Sequence, residues 1–208
     1  MSQSERSTTS PARSGSKRFV RAALVVLAMA MVPAVAVWSV ARGQPTTPPP
    51  DYTSDGQLKL PVEFQKWIFV GSNLGLEYNE GPQRGVESFH NVYINPEAYR
   101  HFLDKKEFPD KTVLVMDIYE PATRDPVLAK GKYNGPRRGL EVAVKNAARP
   151  GNVPTDWAYY AFAVNAAGAV APSAKAFDQI CYDCHKTHAS TDNVWVQFYP
   201  VLRDRPPQ

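Results

Sequence analysis

The sequence predicts an α+β domain, mainly antiparallel β-sheet with a few helices and not a four-helix bundle. Three observations lead there. Short runs rich in β-branched and aromatic residues follow one another instead of alternating strictly with helices. The clearest of them, residues 112–120 (TVLVMDIYE), alternates with period two. One segment, 96–108, carries the start and stop signals of a helix.

Taken in order, residues 60–72 (LPVEFQKWIFVGS) read as a short helix running into an apolar strand. Residues 86–94 (VESFHNVYI) have strand composition and stop at Asn95-Pro96. Residues 96–108 (PEAYRHFLDKKEF) open with Pro at a helix start, follow with Glu and end in lysines. In 112–120, Thr112, Leu114, Met116 and Ile118 share one face, and Val113, Val115, Asp117 and Tyr119 the other. Residues 122–139 read as a long polar connection punctuated by Gly and Pro. Residues 140–146 and the strongly aromatic 156–164 are two more strands. Residues 172–188 (PSAKAFDQICYDCHKTH) read as a helix opened by Pro-Ser, and 194–202 close the chain as an apolar segment. The expected order is helix, strand, strand, helix, three strands, helix. No internal repeat or heptad pattern is present.

The N-terminus is different in kind. After a Ser/Thr/Arg-rich start, residues 22–41 (AALVVLAMAMVPAVAVWSVA) contain no charge. A basic start before an apolar run is the pattern of an export signal. At 20 residues the run also suffices to span a bilayer. Residues 1–42 are therefore an export signal or an N-terminal membrane anchor, 43–57 a Pro/Thr-rich linker, and 58–208 the folded domain. Both readings place that domain in the periplasm or outside the cell. Of 24 basic and 20 acidic residues, six basic and one acidic fall in 1–42, so the remainder carries a net charge of −1. The pI near 9.0 belongs to the targeting segment. A nearly neutral domain gives no electrostatic reason to expect nucleic acid.

Both cysteines of the chain stand in "ICYDCHKTHA", residues 180–189. On a helix, Cys181, Cys184 and His185 are i, i+3 and i+4 and share one face. C-x-x-C-H is the attachment signature of c-type haem: two thiols bond the vinyl groups and the imidazole turns to the iron. A zinc site would need His188 as fourth ligand, in a run too compressed to wrap a tetrahedron. A thiol–disulfide pair would call for a strand–helix unit of thioredoxin type, and none is visible. Haem c, held covalently through two thioethers with His185 on the metal, is the expected cofactor.

The segments YINPEAY (93–99), FPDKTVLV (108–115), GLEVAVK (139–145), WAYYAF (157–162), CYDCHKTHASTD (181–192) and FYPVLR (198–203) carry a further signal. In order and spacing, 58–203 resembles the cytochrome P-460 / cytochrome c′-beta family of exported, mainly β, homodimeric haem proteins. The resemblance implies a five-coordinate iron with His185 proximal, an open distal site, and small ligands such as nitric oxide, carbon monoxide and hydroxylamine. It also implies a homodimer, and a redox role would require an electron-transfer partner protein. Membrane contact is expected only through residues 22–41, if they stay attached.

Enzymes of that family oxidise hydroxylamine and carry a lysine cross-linked to the porphyrin edge; the matching residue here is Met116. A thioether cannot form the same bond. Met116 is then a core residue, a contact or cross-link at the haem edge, or a sixth iron ligand in a low-spin electron-transfer cytochrome. His90 is the other candidate for that last role. Where some hydroxylamine-oxidising members place a carboxylate, five residues before the first attachment cysteine, this chain has Ala176, with Phe177 beside it. That implies an apolar pocket without the carboxylate. Asp178 and Asp183 are expected on a solvated helix surface, His101 on an exposed helix face, and His188 near the haem surroundings. Trp157, Tyr159, Tyr160 and Phe162 are expected in the core and a dimer interface.

Overall fold

Runs of β-branched and aromatic residues build two antiparallel sheets in the computed structural model, which describes residues 47–76, 87–123, 130–147, 156–177 and 179–203. All of these belong to the unit Gly43–Gln208. Its elements are β1 (Leu58–Lys59), a 3₁₀ turn (Phe64–Lys66), β2 (Ile68–Leu74), β3 (Phe89–Ile94), α1 (Pro96–Lys105), β4 (Val113–Ala122), β5 (Tyr133–Lys145), β6 (Trp157–Phe162), β7 (Ser173–Ala174), α2 (Gln179–His188) and a final 3₁₀ turn (Val196–Phe198). The apolar run 22–41 lies outside the described residues. No described helix is long and apolar enough to cross a membrane.

Strands β2 to β6 form one meander in sequence order, every neighbouring pair antiparallel. The α+β expectation is therefore met, and the order of elements from β2 to β6 with it; the short β1 and β7 were not expected. Alternation along β4 divides the interior in two. Leu114 joins Val92, Ile94, Phe102, Phe108, Trp157, Tyr159, Val194 and Leu202 in a core on one face, against which Met116 and Cys181 pack. Val113 and Val115 join Leu140, Val142, Tyr160 and Phe162 in a second core on the other face, closed by Leu58, Phe64 and Ala174. Both faces of the sheet are thus covered, as an α+β layer structure requires.

Helix α1 connects β3 to β4, and its start is pinned to β4. Asn95 uses its side-chain oxygen on the Val113 amide, 2.8 Å away. Pro96 takes the first helical position, and Lys106 ends the helix with a left-handed backbone. Phe102 and Phe108 then stack, and Phe108 meets Trp157 edge-on.

Two expectations are corrected. Residues 133–139, read as connection, are the first half of β5 and extend the β4–β5 hairpin past two register irregularities. Their polar composition reflects exposure: one sheet edge to solvent leaves no apolar alternation to read. Residues 172–177 are not the first turns of a helix. Ser173 and Ala174 pair with β1, and Ala176 bridges Tyr160, so α2 starts at Gln179. Ladder hydrogen bonds to a distant partner outweighed local helix propensity. The described part of the linker is engaged as well: Asp51 pairs with Lys59 at 2.8 Å and the Asn146 amide donates to the Tyr52 hydroxyl.

Candidate functional site

Helix α2 lies against β6, across the core face of the sheet. A cleft of about 380 Å³ opens there, within the range of small-ligand and cofactor sites. Cys181, Cys184 and His185 line it together, as their i, i+3, i+4 spacing predicted. Neither cysteine is in a disulfide. Across from them stand Val92, Leu114, Met116, Glu141, Ala143 and Tyr159 of β3 to β6. Register explains this wall. Met116 faces Val92 on one neighbour and Glu141 on the other, and Ala143 faces Leu114 and Tyr159. Phe177, half exposed, lines the rim.

His185 is held from three sides. Its Nδ1 donates to the Asn193 carbonyl at 2.9 Å, which leaves Nε2 unprotonated. The Trp195 indole N–H donates to that Nε2 at 3.3 Å. The Tyr159 ring lies 4.3 Å from the imidazole, centroid to centroid. Burial pushes the His185 imidazole below its ordinary pKa, and the carbonyl bond opposes that in part. A neutral imidazole with a fixed tautomer is the form that ligates a metal.

Glu141 was missed in the sequence. It is the one acidic side chain lining the cleft among the described residues, and burial raises its carboxyl above the usual range. The position five residues before Cys181 is Ala176 and supplies no carboxylate, with Phe177 beside it; Glu141 brings one to the cleft from β5 instead. Alternation along 140–145 put Glu141 on the face of Ala143; only the β4–β5 register set that face beside Met116.

Met116 is half-buried and lines both this cleft and an adjoining cavity of about 280 Å³. His90 and His188 line only the second cavity, and His90 Nε2 sits 3.0 Å from the Ser88 hydroxyl. His101 faces Glu107 at 3.5 Å and lines neither cavity. Asp183 is exposed, as expected; Asp178 lies outside the described residues. Trp157, Tyr159, Tyr160 and Phe162 are all buried in the core of the chain itself. Among the described residues, no group of three or more His, Cys, Asp or Glu could hold a metal ion by itself.

The family model for cytochrome P460 matches residues 61–196, about two thirds of the chain. The chain belongs to the cytochrome P460 family. It is thus a haem-binding cytochrome, and the matched region contains the whole five-stranded sheet and all of α2. No curated protein matches the chain. The residues present fit the cofactor, provided the Trp195 indole N–H gives up His185 Nε2, the nitrogen that would ligate the iron. A flat macrocycle needs apolar walls, and Val92, Leu114, Ala143 and Phe177 supply them. Two thiols and a neutral imidazole on one wall are the donor set that C-x-x-C-H attachment uses.

Proposed function

We propose that this cytochrome carries one haem c, bonded through Cys181 and Cys184 and ligated by His185, and that it binds or redox-converts small nitrogen ligands such as nitric oxide and hydroxylamine. The supporting observation is the convergence of both thiols and the imidazole on one apolar cleft. When bound, the haem would supply a redox-active iron able to take up a small ligand. The chain supplies the rest. His185 is oriented by Asn193. Val92, Leu114, Ala143 and Phe177 keep water out and favour neutral ligands, since an unpaired anion would lose its hydration there. Glu141, whose carboxyl holds its proton more readily than usual, can donate to a ligand or accept from it.

The alternative is a low-spin electron carrier with Met116 or His90 as sixth ligand. Met116 has the stronger position, because it lines the cleft of His185 and His90 does not. We further propose delivery across a membrane by residues 1–42, a homodimeric state and an electron-transfer partner, all resting on the sequence reading.

One experiment separates the readings: an absorption spectrum of the purified protein, oxidised, dithionite-reduced and then exposed to carbon monoxide. A high-spin spectrum that shifts with carbon monoxide is expected. Sharp, split visible bands that ignore carbon monoxide would overturn the open site in favour of the carrier. With the open site established, hydroxylamine turnover with an added electron acceptor decides between enzyme and ligand-binding protein.

A further inference from the structure

The carbonyl that orients His185 belongs to an unusual turn. Thr191 and Val194 bridge, with Val194 N donating to Thr191 O at 2.8 Å. The two residues between them, Asp192 and Asn193, both have left-handed backbones, at φ 45° and 60°. Neither is glycine. Such a turn persists where its surroundings fix it. Here the Asp192 carboxylate is clamped at both oxygens. The indole N–H of the fully buried Trp157 donates to Oδ1 at 3.1 Å, and Lys145 Nζ approaches Oδ2 at 2.8 Å. Lys145 is itself held by the Phe108 carbonyl at 2.9 Å and lies 3.7 Å from Asp156. The next residue's carbonyl, Asn193 O, has two donors: His185 Nδ1 at 2.9 Å and the Tyr159 hydroxyl at 3.4 Å.

We propose that Asp192 and Tyr159 are positioning residues that set the electron-donating strength of His185 in opposite directions. Asp192, held by Lys145 and Trp157, keeps the Asn193 carbonyl on Nδ1–H. A firm bond there gives the imidazole more anionic character and makes it a stronger donor at Nε2. Tyr159 competes for the same carbonyl lone pairs and weakens that bond. A stronger donor favours the ferric state, so the clamp lowers the reduction potential and the tyrosine hydroxyl raises it. This rests on His185 ligating iron, as proposed above.

The test uses the full haem-loaded protein at one fixed pH, with Asp192→Ala and Tyr159→Phe. Two readouts are taken: the midpoint potential by spectroelectrochemical titration and the iron–histidine stretching band of the ferrous protein by resonance Raman. Asp192→Ala is expected to raise the potential and lower the stretching frequency. Tyr159→Phe is expected to do the reverse. Shifts of the same sign, or no shift in either variant, would overturn the proposal. If Asp192→Ala fails to take up haem, Asp192→Asn decides in its place: it keeps an acceptor for Trp157, loses the Lys145 pair, and should shift both readouts in the same sense by less. The wild-type iron–histidine band is the control for the underlying reading. Its absence would remove His185 as ligand of an open site; its presence without shifts would remove only the positioning role.

Discussion

Removing the guanidinium of Arg137 should destabilise the fold strongly while leaving the haem site untouched. Asp117 sits on β4, one residue beyond Met116 and on the opposite face. It is 1% exposed. Arg137 Nε reaches Oδ1 at 2.7 Å and Nη2 reaches Oδ2 at 2.9 Å, a bidentate pair, and the Tyr119 hydroxyl donates to Oδ2 at 2.8 Å. Arg137→Met keeps the stem and strands the carboxylate with Tyr119 alone. Breaking a buried pair from one side costs about 3–5 kcal/mol. The retained tyrosine bond places the expected loss near the lower end, about 3 kcal/mol, or roughly 6–12 °C in Tm for a domain of this size. Asp117→Asn should cost less, about 1–2 kcal/mol, because the Arg137 side chain is 20% exposed and also donates to the Gly168 carbonyl at 3.3 Å. Urea denaturation followed by far-UV circular dichroism measures both, and the absorption spectrum reports the haem site. A loss below about 1 kcal/mol for Arg137→Met, or a larger loss for Asp117→Asn, would refute the reasoning. So would a changed spectrum, since the pair lies across the sheet from the cleft.

Three further outcomes are expected. Met116→Leu should cost under about 1.5 kcal/mol and leave the carbon monoxide spectrum unchanged, whereas a gain of high-spin character would make Met116 an iron ligand. Single substitution of Cys181 or Cys184 by Ala should shift the pyridine haemochrome band to longer wavelength, and the double variant should release its haem to acidic organic solvent; retention would refute thioether attachment. Glu141→Gln should gain stability over the parent protein with rising pH. The Glu141 carboxyl titrates above its ordinary 4.5 in the folded state, so between the two values the folded state binds more protons than the unfolded state. The parent therefore loses stability as pH rises through that window, and the Gln variant does not. Urea midpoints at pH 4 and pH 8 check this; a difference that is the same at both would refute it.

What the sequence determined alone is what local spacing dictates. Three positions on one helical turn fixed Cys181, Cys184 and His185 as a common face, because 3.6 residues per turn leaves no other arrangement. Period-two alternation sorted 112–119 into two faces, which the two cores of the sheet reproduce. The signals failed where partners are distant. Nothing near Ser173 and Ala174 announces that Lys59 and Leu58 will pair with them from more than a hundred residues away, and β5 begins in residues too exposed to alternate. The composition of the site was decided at the same level. Glu141 became a cleft residue through its register with Met116, and Asn193 became the partner of His185 through a turn anchored by Lys145 and Trp157. A helix carries its own geometry in its sequence, but a sheet register and a clamped turn exist only once chain segments tens of residues apart have closed on one another, so only the tertiary structure could bring these residues to the imidazole.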